Sequence, residues 1–237
     1  MTLDGPRHDG GMLVIAHRGA SAAETENTPA AFRRADEMGA DGVETDVRLG
    51  PGDRLVISHD PIDDADAALG FSEALDACGS RMLVNVEIKN SVSDGGHDPR
   101  CRIVDLVADE LRRRGSDQAH RWLVSSFSEA TIRAMRTVAP DVPTAWLCGR
   151  TLRPDARRLA AGGHRAIHPW DGAVTGASVA DAHDAGLAVN VWTCNDAGRI
   201  AELAGLGVDA VCTDVPDVAL AALGRGGVLS PRWALRR

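Results

Sequence analysis

The chain contains no tyrosine, and only 3% of its 237 residues are aromatic. Its core must therefore come from aliphatic side chains, so an aromatic at a strand end stands out. Five cysteines (Cys78, Cys101, Cys148, Cys194 and Cys212) are odd in number, scattered, and nowhere paired as CxxC or CxxH. This argues against a disulfide framework or a cysteine zinc site and for buried thiols in a reducing cytoplasm. No apolar run approaches the roughly 20 residues of a membrane span. No charged stretch followed by a long apolar core stands early in the chain as a signal peptide would. Basic residues are in deficit as well, 26 Lys and Arg against 34 Asp and Glu, for a formal net charge of −8. That balance speaks against nucleic acid or an anionic membrane as a general partner. A cytoplasmic protein without an integral membrane segment is expected, and nothing bears on its oligomeric state.

At 44% hydrophobic and 25% charged residues, the composition suits one domain with a full core. Short β-rich runs recur along it: LVIAH (13–17), GVETDV (42–47), LVNVEI (83–88), WLVSSF (122–127), PTAWLC (143–148), RAIHPW (165–170), AVNVWT (188–193) and DAVCTD (209–214). Amphipathic stretches separate most of them. In CRIVDLVADELRRRG, Ile103, Val104, Leu106, Val107 and Leu111 form one face and Gly115 is the stop. Eight strands with helices between them read as a (β/α)8 TIM barrel, a single domain with its core at about residues 12–224. An open doubly wound sheet lacks support, because no GxGxxG follows the first strand.

The rhythm breaks once, between Val47 and Leu83. There RLVISHD (54–60) is an extra strand or extended loop, and FSEALDAC is a brief helix. The acidic run with Asp63, Asp64 and Asp66 lacks EF-hand spacing and reads as a solvated loop. The C-terminal SPRWALRR reads as a loose tail or a cap on the barrel base. One internal echo appears: GADGVETDV (39–47) and GVDAVCTDV (207–215) share G-x-D-x-V-x-T-D-V. Each would be a helix stop, a turn, and a strand delivering Asp at its end. Convergence on common turn chemistry explains the match equally well.

A TIM barrel gathers its active site at the C-terminal ends of its strands. Those tips carry His17 and Arg18, Glu44 and Asp46, Asn85, Glu87 and Lys89, Ser125, Trp192, Thr213 and Asp214, while His59 comes from the extra segment. Glu44 and Asp46 are two apart and share one side of their strand. Asn85, Glu87 and Lys89 share another, with Val84, Val86 and Ile88 opposite. Three carboxylates at one mouth raise one another's pKa unless a cation sits among them. Hard oxygen ligands in that number suit Mg²⁺ or Ca²⁺ better than zinc. Arg18 and Lys89 can grip phosphate, and His17 and His59 can share proton donation and acceptance. Together these groups spell phosphoryl transfer to a hydroxyl or water.

Plainer readings exist for several of them. Glu87 and Lys89 can be a rim ion pair, and Trp192 a core residue rather than the floor of a small-ligand site. Thr28-Pro29 has the form of an N-cap and N1 proline, while Glu26 and Asn27 either serve the site or brace its loop. The other histidines read as surface or structural, with His168 at the end of the sixth strand the least certain.

Taken in order, AHRGA, ENTPAAF, ADGVETDVRL, LVISHD, VNVEIK, VWTCN and VDAVCTDVP resemble the glycerophosphodiester phosphodiesterase family, from about Leu13 to Pro216. The combination is specific where no single motif would be. By that resemblance, His17 and His59 are the acid–base pair. Glu44, Asp46 and Glu87 bind a divalent cation, Mg²⁺ or Ca²⁺, Arg18 and Lys89 hold the phosphate, and Trp192 contacts the glycerol. The implied reaction hydrolyses a glycerophosphodiester to sn-glycerol 3-phosphate and an alcohol. One departure stands out: only residues 61–86 separate Asp60 from Glu87, where the family commonly carries a longer segment that encloses the substrate. The Arg-Thr-Thr and Gly-x-Gly signature usual there is missing. A more open mouth leaves a lysophospholipase D-type activity as the alternative. A non-catalytic barrel binding metal or phosphodiester stands further back, because both histidines and all three acids are present.

Overall fold

Val-, Ile- and Leu-rich runs too short for stable isolated strands become stable by closing on one another. The computed structural model describes residues 11–62, 68–149 and 156–225. The first two staves are β1 (Leu13–Ala16) and β2 (Gly42–Leu49), joined through helix α1 (Pro29–Met38). The short β3 (Leu55–Ile57) folds back antiparallel on β2, pairing Val47 with Ile57, and stands outside the barrel. Helix α2 (Phe71–Ala77) leads to β4 (Leu83–Ile88), α3 (Arg102–Arg113) to β5 (Trp122–Ser126), and α4 (Glu129–Val138) to β6 (Thr144–Cys148). Then come α5 (Ala156–Ala161), β7 (Ala166–Pro169), α6 (Gly176–Asp184), β8 (Ala188–Val191), α7 (Ala197–Gly205), β9 (Ala210–Thr213) and α8 (Pro216–Ala222).

Strand β1 pairs in parallel with both β2 and β9, and this closes eight parallel staves into a (β/α)8 TIM barrel. All eight runs read from the sequence are staves, and RLVISHD supplies β3. The acidic loop of Asp63, Asp64 and Asp66 and the tail SPRWALRR lie outside the described residues, as does the start of the pattern PDARRLAAGG.

The core fills the space between staves and helices. On one side Val43, Val84, Val86 and Ile88 meet Phe32, Phe71, Leu75 and Ile103; on the other Val14, Val189, Val191 and Val211 meet Ile200, Leu203 and Leu220. Alternation then turns Glu44, Asp46, Asn85 and Glu87 away from the helices, as the period-2 pattern requires. The thiols of Cys78, Cys148 and Cys194 are buried; those of Cys101 and Cys212 are half-buried, and all five are free. Burial pushes the Cys78 and Cys148 thiols up to about 12, so both are inert at neutral pH. Among the described residues, no helix is long and apolar enough to cross a membrane.

The echo is structural. Gly39 and Gly207 end their helices at φ 87° and 86°. Asp41 then accepts the Val14 amide at 2.7 Å, and Asp209 accepts the Val189 amide at 2.8 Å. In each copy the aspartate before a strand pins the preceding stave in register.

Candidate active site

At the tip of β1 the chain turns sharply. Arg18 sits at φ 56° and Gly19 at φ 84°, and a Cβ on Gly19 would lie 2.6 Å from the Ala31 backbone. Only glycine allows helix α1 this close to the turn. Thr28 caps α1 by accepting the Ala31 amide, with Pro29 at the first helical position, as the sequence pattern implied. The turn carries the Arg18 amide to the Glu44 carboxylate at 3.0 Å and its guanidinium Nε to 3.3 Å from Asp46. Glu26 takes Arg18 Nη1 with both oxygens at 2.9 Å. His17 Nδ1 lies 2.6 Å from Asp214 Oδ1, and its Nε2 lies 4.0 Å from Glu44. His17 and Arg18 line a pocket with Ser21, Glu26, Asn195 and Asp214.

The barrel register sets the acids side by side: Glu44 opposite Asn85, Asp46 opposite Glu87, and Glu87 opposite Ser125. Glu44, Asp46 and Glu87 are all buried, with ligand oxygens within 4.8 Å of one another. Lys89 Nζ sits 2.9 Å from Asp46 Oδ1 and 2.5 Å from Glu87 Oε1. Those two oxygens are in ion-pair reach of the ammonium but out of hydrogen-bond alignment. Glu44 Oε1, Asn85 Oδ1 and Ser125 Oγ are buried with no hydrogen-bond partner.

This electrostatic arrangement is unbalanced. Burial, then the charges of Asp46 and Glu87, hold the Glu44 carboxyl well above the usual range. Burial lifts Glu87 to about 7 against the pull of Lys89. At Asp46 burial pushes the same way, but Lys89, Asn27 and Arg18 outweigh it and hold the carboxyl low. Lys89 is held above its ordinary value, because Glu87 and Asp46 outweigh its burial. A cluster of acids with an orphaned carboxylate oxygen, an orphaned amide oxygen and an orphaned hydroxyl fits a hard divalent cation, whose charge would relieve all three.

The segment after β3 reaches the same mouth, because the Ser58 amide donates to the Asp46 carbonyl at 3.0 Å. His59 follows it, half-exposed, with Nδ1 2.8 Å from Asp60 Oδ1. Among the described residues its side chain bonds to none of the cluster. Trp192 stands just past β8, edge-on to Phe127 with ring centroids 5.3 Å apart, its Nε1 donating to the His168 carbonyl at 2.8 Å. The structure thus brings His17, Arg18, Glu44, Asp46, Glu87 and Lys89 together through a chain of contacts within ion-pair or hydrogen-bond reach, and among the described residues neither His59 nor Trp192 bonds to them. His168 is structural: it is buried, its Nε2 lies 2.9 Å from Asn190 Nδ2, and burial lowers it to about 3.

Three residues gain roles that the sequence did not assign. Asp214, read only as a polar tip, pairs with His17 across the barrel seam. Asn27 braces the site itself, donating to Asp46 at 2.9 Å. Arg48, buried at the end of β2, donates to the carbonyls of His59, Asp94 and Gly95 and so clamps the His59 segment to the loop after β4. ETDVRL carries the only hint of it, an arginine two residues after Asp46.

Comparison with known proteins identifies the family and the fold. The model of the glycerophosphoryl diester phosphodiesterase family matches residues 17–70 and 65–218. A glycerophosphodiester phosphodiesterase of Caldanaerobacter subterraneus subsp. tengcongensis is 28% identical, over 91% of this chain and 99% of its own. Among solved structures, an Oleispira antarctica phosphodiesterase in complex with the product sn-glycerol-3-phosphate superposes with a TM-score of 0.80. It is 23% identical, over 92% of this chain and 98% of that one. A glycerophosphodiester phosphodiesterase from Parabacteroides distasonis gives a TM-score of 0.78 at 23% identity, over 90% and 97% of the two chains. The two structures share the barrel with this chain, and the family match, running from His17 through the acids to the last stave, shows that it belongs to the glycerophosphoryl diester phosphodiesterase family.

Proposed function

We propose that the protein hydrolyses glycerophosphodiesters to sn-glycerol 3-phosphate and an alcohol with the help of a divalent cation, Mg²⁺ or Ca²⁺. The observation that carries this is three buried carboxylates within 4.8 Å of one another, flanked by Arg18 and Lys89. Glu44, Asp46 and Glu87 would hold the cation. Bound there, it would neutralise the acids and polarise a phosphoryl oxygen. Arg18, fixed by Glu26 and Asp46, and Lys89, fixed by Asp46 and Glu87, present cationic donors to the remaining phosphate oxygens.

His17 and His59 each place Nδ1 against a carboxylate and leave Nε2 for proton transfer. One removes the proton from the attacking oxygen as the new P–O bond forms. The other protonates the departing oxygen as the old bond breaks, since a bare alkoxide is a very poor leaving group. Trp192 offers the flat side of the mouth to the glycerol. Two loops at this mouth also expose apolar side chains, Val92 (83%) after β4 and Trp170 (39%) after β7. That surface favours a lysophospholipid as the second substrate to test.

The test is release of glycerol 3-phosphate from a panel of glycerophosphodiesters with Mg²⁺, with Ca²⁺ and with EDTA, a lysophospholipid beside them. Release from the small diesters that EDTA abolishes is expected. Turnover of the lysophospholipid alone would shift the substrate, and metal binding with no turnover of either would leave a binding barrel.

A further inference from the structure

The mouth contains the same hydrogen-bonded module twice. In the first copy Thr45 Oγ1 donates to Asn27 Oδ1 at 3.0 Å, and Asn27 Nδ2 donates to Asp46 Oδ2 at 2.9 Å. In the second, Thr213 Oγ1 donates to Asn195 Oδ1 at 2.9 Å, and Asn195 Nδ2 donates to Asp214 Oδ2 at 2.6 Å. In both, the asparagine stands 18 residues before the threonine and 19 before the aspartate. In both it directly precedes a helix N-cap, Thr28 for α1 and Asp196 for α7. The echo in the sequence is the strand half of this unit.

The two copies sit on β2 and β9, the two neighbours of β1. They therefore grip the tip of β1 from opposite sides. The first copy aims Asp46 at Arg18, 3.3 Å away; the second aims Asp214 at His17, 2.6 Å away. The left-handed backbone at Arg18 lets the two successive side chains part toward these opposite partners.

We propose that Asp214 is the positioning residue of His17, held in aim by Asn195 and Ser21 as Asp46 is held by Asn27. The Ser21 hydroxyl donates to Asp214 Oδ1 at 3.0 Å and Asn195 Nδ2 to Oδ2 at 2.6 Å, so both carboxylate oxygens are held, while Asn195 Oδ1 accepts the Asp214 backbone amide at 2.8 Å. The hydrogen bond from His17, together with those from Asn195 and Ser21, lowers the Asp214 carboxyl to about 2 despite its burial. An ionised Asp214 accepts the Nδ1–H, fixes one tautomer, and turns Nε2 toward the acids where phosphate would sit. The proposal rests on the reading of His17 as a proton-transferring residue.

The test uses the full chain with Mg²⁺ and the best diester of the panel, comparing Asp214→Asn, Asp214→Glu, Asn195→Ala and His17→Gln. Asp214→Asn is expected to lower kcat by roughly 10²–10³-fold, by analogy with the carboxylate of a hydrolytic triad, with KM within about threefold. Asn195→Ala should cost about tenfold, and Asp214→Glu should recover part of the loss. Proton NMR should show a far-downfield exchangeable resonance that disappears in both Asp214→Asn and His17→Gln. Wild-type kcat in Asp214→Asn while His17→Gln is dead would overturn the proposal alone, as would absence of the downfield proton from the native protein. A fully active His17→Gln would instead remove the acid–base reading on which it stands.

Discussion

Exchanging Glu87 for glutamine should stabilise the metal-free protein while removing its function. Glu87 has an ordinary pKa of 4.5 and is lifted to about 7 in the fold. The native state therefore keeps a proton that the unfolded chain releases between those values. Stability falls as pH rises across that window and is flat above it. The lift from 4.5 to about 7 corresponds to about 3 kcal/mol at pH 8. Glutamine escapes that cost but takes from Lys89 its 2.5 Å partner, leaving the ammonium to Asp46.

The net gain expected for Glu87→Gln in EDTA at pH 8 is about 1–2 kcal/mol, or roughly 2–8 °C in Tm for a domain of this size. Near pH 3, where Glu87 is protonated in either state, the gain should shrink toward zero. Saturating Mg²⁺ or Ca²⁺ should raise the Tm of the native protein far more at pH 8 than at pH 5, and that of the variant much less. Thermal denaturation across this grid measures all of it. A variant destabilised equally at both pH values, or one that responds to metal as the native protein does, would refute the electrostatic account.

Other expectations follow from single contacts. Glu44→Ala and Asp46→Ala should each abolish metal-dependent release of glycerol 3-phosphate with the fold preserved by circular dichroism; unchanged activity in either removes that ligand. Gly19→Ala should cost about 2–5 kcal/mol in denaturant unfolding, since it forces a side chain into left-handed backbone and against Ala31; a neutral result would mean the turn relaxes. Arg48→Met should lower kcat roughly ten- to hundredfold while leaving metal affinity intact, because His59 loses its clamp. Metal titration by calorimetry beside the kinetics separates the two.

The barrel was legible because its signals are local. Valine alternation in VNVEI, glycine after most helices, and Thr28-Pro29 each state their structure within a few residues. The acids were legible for the same reason, since a period of two puts Glu44 with Asp46 and Glu87 with Lys89 on shared faces. What stayed hidden depends on which loops meet. No spacing rule joins His17 to Asp214, 197 residues away. Arg48 carried no reading from the sequence, because the three backbone carbonyls its guanidinium holds come from two separate loops. Asn27 left two readings open, and its bonds to Thr45 and Asp46 resolve them in favour of the site. The repeated G-x-D-x-V-x-T-D-V was visible, but half of the module lies in the asparagines upstream, outside the matching strings.

The closing of the barrel at β1 also sets an order of assembly. Glu44, Asp46, Glu87 and Lys89 all lie within the first 89 residues, whereas β1 gains its second neighbour only from β9. Arg225 then straps the seam, donating to Asp41 at 2.7 Å and to the Met12 carbonyl at 3.3 Å. During synthesis on the ribosome the acidic cluster would emerge on the order of ten seconds before Asp214. For that interval a nascent chain would display a half-built basin of negative charge, with the histidine at its edge still unaimed. Strand β1 is thus completed only when β9, nearly 200 residues later, closes on it.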